Sequence, residues 1–212
     1  MNHTFLSAIA NTVALAAIVA GAPAQASVLV DTGTPNGSAV GSYAFDGMDW
    51  YAGHVSFGAA YDLSAISAHL LGTTPAETFT VALYTDGAVP GDLLYSATAT
   101  VGASGDGWTG VSGASLSGWH VAAGSYWVAF EIGSGDTLGG GSVTGALLDA
   151  GAPNPLAATA FSSGAGYGLT ASPLGIGLRI EGTLPVPEPT TGLLLAAGVA
   201  ALALLRRGRS MR

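Results

Sequence analysis

The sequence predicts an all-β fold, an antiparallel two-sheet sandwich of jelly-roll type, set between two apolar termini that lie outside it. Three observations carry that expectation. Short runs of alternating apolar and polar residues recur through the middle of the chain, each bounded by Gly, Pro, Asp or Ser. No long segment there shows an apolar stripe at helical spacing. The composition, 33 Gly in 212 residues with only 8% charged, suits turns and sheets better than a helical bundle rich in Glu, Lys and Leu.

Residues 1–26 read as a secretory signal. Apolar residues dominate from Phe5 to Ala22, and Ala24-Gln25-Ala26 has the small-x-small pattern of a cleavage site. Ala24 and Ala26 are therefore the expected signal-peptidase positions, and export by the secretion machinery follows. The n-region has no Lys or Arg, so its positive charge rests on the amine and His3.

Residues 27–184 fit one domain. Ser27 to Val30 is a short first strand. Leu63 to Leu71 alternates weakly. Glu77 to Tyr84 is the clearest run, with Phe79, Val81 and Leu83 on one face. A connection rich in turn residues, Thr85 to Asp92, separates it from Leu93 to Val101, where Tyr95, Ala97, Ala99 and Val101 share a side. Ser125 to Ile132 turns Tyr126, Val128, Phe130 and Ile132 inward and Trp127, Ala129 and Glu131 outward. Ser142 to Leu148 is weaker. Gly175 to Thr183 places Ile176, Leu178 and Ile180 inward, and Arg179 and Glu181 outward. Gly133 to Gly145, Gly164 to Gly168 and the stretch around Pro153 and Pro155 read as loops.

Residues 185–212 form the tail. Gly192 to Leu205 contains no polar side chain, and Arg206, Arg207, Arg209 and Arg212 follow it. A helix over 190–205 would be 16 residues long, or about 24 Å at 1.5 Å per residue. That is short against a bilayer core of about 30 Å, but thinning and snorkelling arginines make up the difference. The positive-inside rule then leaves Arg206, Arg207 and Arg209 in the cytoplasm as a stop-transfer cluster, with the sandwich outside.

Removing the ends sharpens the charge picture. Between Ser27 and Pro187 lie twelve acids and one base, Arg179, for a net charge of −11. Such a domain repels polyanions and has no basic surface for nucleic acid. The chain has no Cys, which excludes disulfides and thiolate metal sites.

Just before the apolar run stands Val186-Pro187-Glu188-Pro189-Thr190. A Pro-Glu-Pro triplet over 186–190, a short apolar helix and a terminal arginine cluster together resemble the PEP-CTERM sorting signal of Gram-negative bacteria. The prolines hold that stretch extended and remove backbone donors, as a protease site requires. The resemblance implies that Pro187, Glu188 and Pro189 are read by exosortase, a membrane-embedded cysteine transpeptidase. It also implies transient anchoring in the inner membrane, then delivery to the outer envelope or extracellular matrix. Separately, Phe79 to Leu94 with Ala123 to Ala129 looks like the β-sandwich ectodomains called choice-of-anchor domains, which carry no defined activity.

Motifs for chemistry are sparse, and no catalytic residue is assigned; the chain reads as a non-enzyme. His54, His69 and His120 are isolated in sequence and read as surface or rim residues. Gly105 to Gly110 matches G-x-G-x-x-G literally, but the sequence around it lacks the helix that phosphate binding needs. Asp46 with Asp49, and Asp86 with Asp92, are the carboxylate pairs a glycosidase would use, and turn formation explains them equally well. Calcium is the metal such a domain would suit, with Asp31, Asp46, Asp49 and Asp149 as ligands by residue type alone. Trp108 and Trp127 are the candidates for stacking on a sugar ring. The expected role is structural or adhesive within an exopolysaccharide matrix such as a biofilm. A carbohydrate-binding module is the alternative, and a secreted hydrolase comes third.

Overall fold

A computed structural model of the chain describes residues 25–34, 42–144, 154–185 and 198. Ala26–Leu184 forms one compact unit. Its described residues make thirteen strands: β1 (Ser27–Asp31), β2 (Ser42–Phe45), β3 (Asp49–Phe57), β4 (Tyr61–Leu71), β5 (Thr78–Thr85), β6 (Leu93–Thr100), β7 (Gly107–Ser112), β8 (His120–Val121), β9 (Gly124–Glu131), β10 (Gly141–Thr144), β11 (Ala158–Ser163), β12 (Tyr167–Leu169) and β13 (Leu178–Thr183). A single 3-10 turn, Gly113–Leu116, follows β7.

These strands form two antiparallel sheets packed as a sandwich. The first runs β1-β13-β4-β10-β2, with β7 and β8 also paired to β4. The second runs β12-β11-β3-β9-β5-β6. Strand alternation explains the core. Ile66, Ala68 and Leu70 of β4 and Leu178 and Ile180 of β13 face inward from the first sheet. Phe79, Val81 and Leu83 of β5 meet them from the second, with Val128 and Phe130 of β9. Phe45 of β2 meets Phe79 edge-on across the layers, 5.7 Å between ring centres, a favoured aromatic geometry. All of these side chains are fully removed from water, and burial of this kind contributes roughly 1.5–3 kcal/mol per large side chain.

The structure adds strands where the sequence suggested none: β2, β3, β7, β8, β11 and β12. The most consequential is β3, an interior strand of the second sheet, paired to β9 on one side and β11 on the other. Its inward face reads Tyr51, Gly53, Val55, Phe57, so a glycine interrupts the apolar alternation. The gap at Gly53 is filled from elsewhere: a Cβ there would sit 3.1 Å from one Leu156 methyl and 3.2 Å from a Leu178 methyl. His69 departs from the rim placement too, being only 9% exposed.

Candidate functional site: an outer-face aromatic groove and a sorting tail

The outer face of the first sheet gathers the polar residues that alternate with the core. Register sets Arg179 of β13 between Asp31 of β1 and Ser67 of β4, and Glu181 beside Ala65. On the far side of β4, Trp108 of β7 lies opposite His69. Gly110 lets β7 approach this closely, because a Cβ there would collide with the Ile66 carbonyl.

Trp108 is held on three sides. Its Nε1–H donates to Thr34 Oγ1 at 3.1 Å. The Arg179 guanidinium lies 4.4 Å from the ring centre, in cation–π range. His69 meets the ring edge-on at 5.3 Å. Arg179 is itself fixed, donating from Nε and Nη2 to Asp31 Oδ2 at 3.1 and 2.9 Å. Behind them, the Thr144 hydroxyl donates to the His69 carbonyl and its oxygen lies 2.6 Å from His69 Nδ1. That network assigns the proton of a neutral imidazole to Nδ1. Burial holds the His69 pKa below the usual imidazole range; Arg179 works in the same direction and Asp106 against it.

Beside Trp108 an open groove of about 390 Å³ is lined by Arg179, Glu181, Ser67, Ser112 and Thr100. It combines an aromatic ring, a guanidinium, a carboxylate and hydroxyls. That set suits a neutral, polyhydroxylated ligand, which offers an apolar ring face together with donors and acceptors.

Trp127 corrects the expectation for the second stacking residue. It faces outward from β9, yet it is 1% exposed. The β5–β6 loop closes over it, and Trp127 Nε1–H donates to the Gly87 carbonyl at 3.1 Å. His54 packs on the ring at 4.8 Å and binds Asp86 Oδ1 at 2.7 Å, which ties the loop down. No ring face is left for a sugar. The same outer face buries Ala52, Ala82, Ala129 and Ala160 beneath Tyr84 and Tyr167. Both tyrosine hydroxyls donate to Glu131 Oε1, at 2.8 and 2.7 Å. Burial raises the pKa of each phenol well above its usual range, and Glu131 adds to the effect.

The candidate calcium ligands are not brought together. Asp31 sits on Arg179, whereas Asp46 caps the β2–β3 turn by accepting from the Met48 and Asp49 amides at 2.8 and 3.1 Å. Among the described residues no group of three or more His, Asp or Glu is arranged to hold a metal ion. Asp149 lies outside the described residues. Asp86, from the second carboxylate pair, is likewise engaged in its own turn, accepting from the Gly87 amide and from His54. His54 and its hydrogen bond hold that carboxyl below the usual range.

Residues 185–209 match the family model of the PEP-CTERM protein-sorting motif. The chain carries a PEP-CTERM sorting tail. The match spans Pro187, Glu188 and Pro189 and reaches Arg206, Arg207 and Arg209. A PEP-CTERM tail implies an exported protein, transiently anchored in a membrane and processed by exosortase. The PEP-CTERM match does not extend into the sandwich. No curated protein and no solved structure matches the chain. The PEP-CTERM residues 186–190, the expected 190–205 helix apart from residue 198, the basic cluster and the expected cleavage position Ala24 lie outside the described residues, while Ala26 is exposed just before β1. Among the described residues no helix is long and apolar enough to cross a membrane.

Arg179 is the groove residue that sequence reading passed over. It was visible as the one base among twelve acids between Ser27 and Pro187, on an outward position of a clear strand. Its pairing with Trp108, far away in sequence, was not.

Proposed function

We propose that this is a matrix protein of the bacterial envelope, sorted by its PEP-CTERM tail, whose sandwich holds extracellular polysaccharide in the Trp108 groove. The observation that carries this reading is the rigid, part-exposed Trp108 ring beside Arg179 and Glu181. A ring already fixed by Thr34, Arg179 and His69 gives up little conformational freedom when a sugar packs near it. The sugar's hydroxyls then find a donor in Arg179 and an acceptor in Glu181. The net charge of −11 on the exported part favours a neutral glycan over an acidic one. Adhesion is thus the role of the sandwich, and the bond-breaking chemistry belongs to exosortase, which acts on the tail.

The test is retention of the exported protein on the polysaccharide made by its own cells. Wild-type protein is retained, and Trp108→Ala lowers the affinity about tenfold or more, a loss of about 1.4 kcal/mol. Trp127→Phe, which changes a covered ring, leaves retention intact. Equal retention of wild type and Trp108→Ala would sink the groove reading and leave a purely structural sandwich.

A further inference from the structure

We infer that one end of the sandwich, the end that carries Leu184, rests on the lipid interface of the membrane while the PEP-CTERM tail is anchored there. Strand registers define this end. Thr183 lies opposite Asp62, Ser27 opposite Gly182, Gly124 opposite Phe57, and Tyr126 opposite Thr85. Here β1, β4, β6 and β9 start, and β3, β5, β8 and β13 finish. Apolar side chains gather at it. Six large hydrophobic residues are exposed among the described residues, and four of them, Val28, Leu93, Leu94 and Leu184, stand at this end; Met48 and Leu169 lie elsewhere. Tyr61, Tyr95 and Tyr126 are partly exposed beside them. The Tyr95 and Tyr126 hydroxyls donate to the His120 and Ala122 carbonyls at 3.2 and 3.3 Å, so both rings carry their polar tips at the rim. A ring with an apolar body and a polar tip is what membrane interfaces favour.

The occupant follows from the tail and from charge. Leu184 is the last residue before the tail, whose apolar run begins at Gly192, eight residues on. That stretch reaches about 28 Å at most when fully extended. An anchored tail therefore keeps the sandwich close to the bilayer, and its charges decide which end turns toward the lipid. Five carboxylates, Asp46, Asp49, Glu77, Asp106 and Asp136, stand at the opposite end, beside the start of β3, β5 and β7 and the finish of β9. The end carrying Leu184 has Asp62, Asp86 and Asp92. Two of these are bonded to histidine, Asp62 to His120 at 2.9 Å and Asp86 to His54 at 2.7 Å. Anionic headgroups repel the first group more than the second, so the membrane's field turns the apolar end down. The four exposed side chains hold about as much hydrocarbon as one myristoyl chain, which alone binds a bilayer marginally and reversibly. Contact therefore lasts while the tail is anchored, and cutting of the tail by exosortase frees the sandwich.

The chain has no Cys, so a single introduced thiol takes a fluorescent label cleanly. Ala123→Cys, exposed in the β8–β9 turn, reports the end carrying Leu184. Ser134→Cys, exposed shortly after β9, reports the opposite end, about 24 Å away along that strand. The full chain is placed in phosphatidylcholine–phosphatidylglycerol vesicles that carry a headgroup quencher and no exosortase. The label at position 123 is expected to lose most of its emission, and the label at position 134 little. Tethering alone would also bring the first end nearer, so further variants separate docking from tethering. Val28→Ser, Leu93→Ser and Leu94→Ser together, in the Ala123→Cys chain, keep the tail and are expected to restore most of the emission. Met48→Ser with Leu169→Ser is expected to leave the quenching unchanged. All five positions are exposed, and an unshifted thermal melt shows that each variant is folded. Equal quenching at positions 123 and 134, or quenching at 123 that survives the three serines, overturns the inference. Quenching that appears only when exosortase is added assigns this end to that protein and overturns it as well.

Discussion

Trp127 and Trp108 both occupy outward positions on their strands, and their surroundings give them opposite duties. Trp127 is covered by the β5–β6 loop, anchored through Gly87 and flanked by His54. Replacing it with Ala leaves a cavity under that loop, and the expected cost is about 3–5 kcal/mol, read from denaturant unfolding. Trp108→Ala removes a part-exposed ring and is expected to cost less than half as much. Glycine carries similar weight at Gly177, where a Cβ would fall 2.5 Å from His69 Cβ and 2.6 Å from the Thr144 carbonyl oxygen. Gly177→Ala therefore forces β4 from β10, with an expected loss of about 1–3 kcal/mol in the same assay. His69 supplies a pH signature. Its folded pKa lies below the ordinary value of 6.5, so the unfolded chain takes up the proton first. Stability from this group is present above that pH and is lost as pH falls through it toward the folded pKa. A His69→Gln variant is expected to show a flatter stability profile between pH 7 and about 5 by thermal melting.

At the scale of elements, the outer face of the second sheet works as a small second core. Four alanines from β3, β5, β9 and β11 make a floor low enough for Tyr84 and Tyr167 to lie across. Glu131 receives both hydroxyls and so ties the short hairpin β11–β12 to the middle of the sheet. Both phenols have raised folded pKa values, so their stabilising contribution is complete below about pH 10 and is lost as pH rises above it. A protein with Tyr84→Phe and Tyr167→Phe is expected to resist this alkaline unfolding better than wild type. It also pays at neutral pH, because Glu131 loses two donors, about 1–3 kcal/mol. Circular dichroism against pH checks both statements. These elements differ in how well they could be read from sequence. β5, β9 and β13 show unbroken alternation because each buries one face continuously. In β3 and β7 glycine takes core or contact positions, and the volume is supplied by Leu156, Leu178 and the β4 backbone, which lie far away along the chain.

For the whole molecule, the sandwich and the tail answer to different readers. The sandwich is sealed by its own core, while the PEP-CTERM tail is recognised by its sequence, a Pro-Glu-Pro triplet followed by an apolar run and arginines. Mass spectrometry of the mature protein from native cells is expected to give a C-terminus near Pro189, from which the apolar run and the arginines have been removed. A mature chain still ending at Arg212 would mean that exosortase does not process it. Sequence by itself determined export, sorting and the all-β class, since these depend on local order: apolar runs, a Pro-Glu-Pro triplet and period-two alternation. Only the tertiary structure decided that Trp108 borders a groove and Trp127 does not, that Asp31 pairs with Arg179, and that His69 is buried. Each of those outcomes depends on register between strands and on which loop closes over which face. Such long-range contacts are set by packing the whole core, and no single stretch of the chain encodes them.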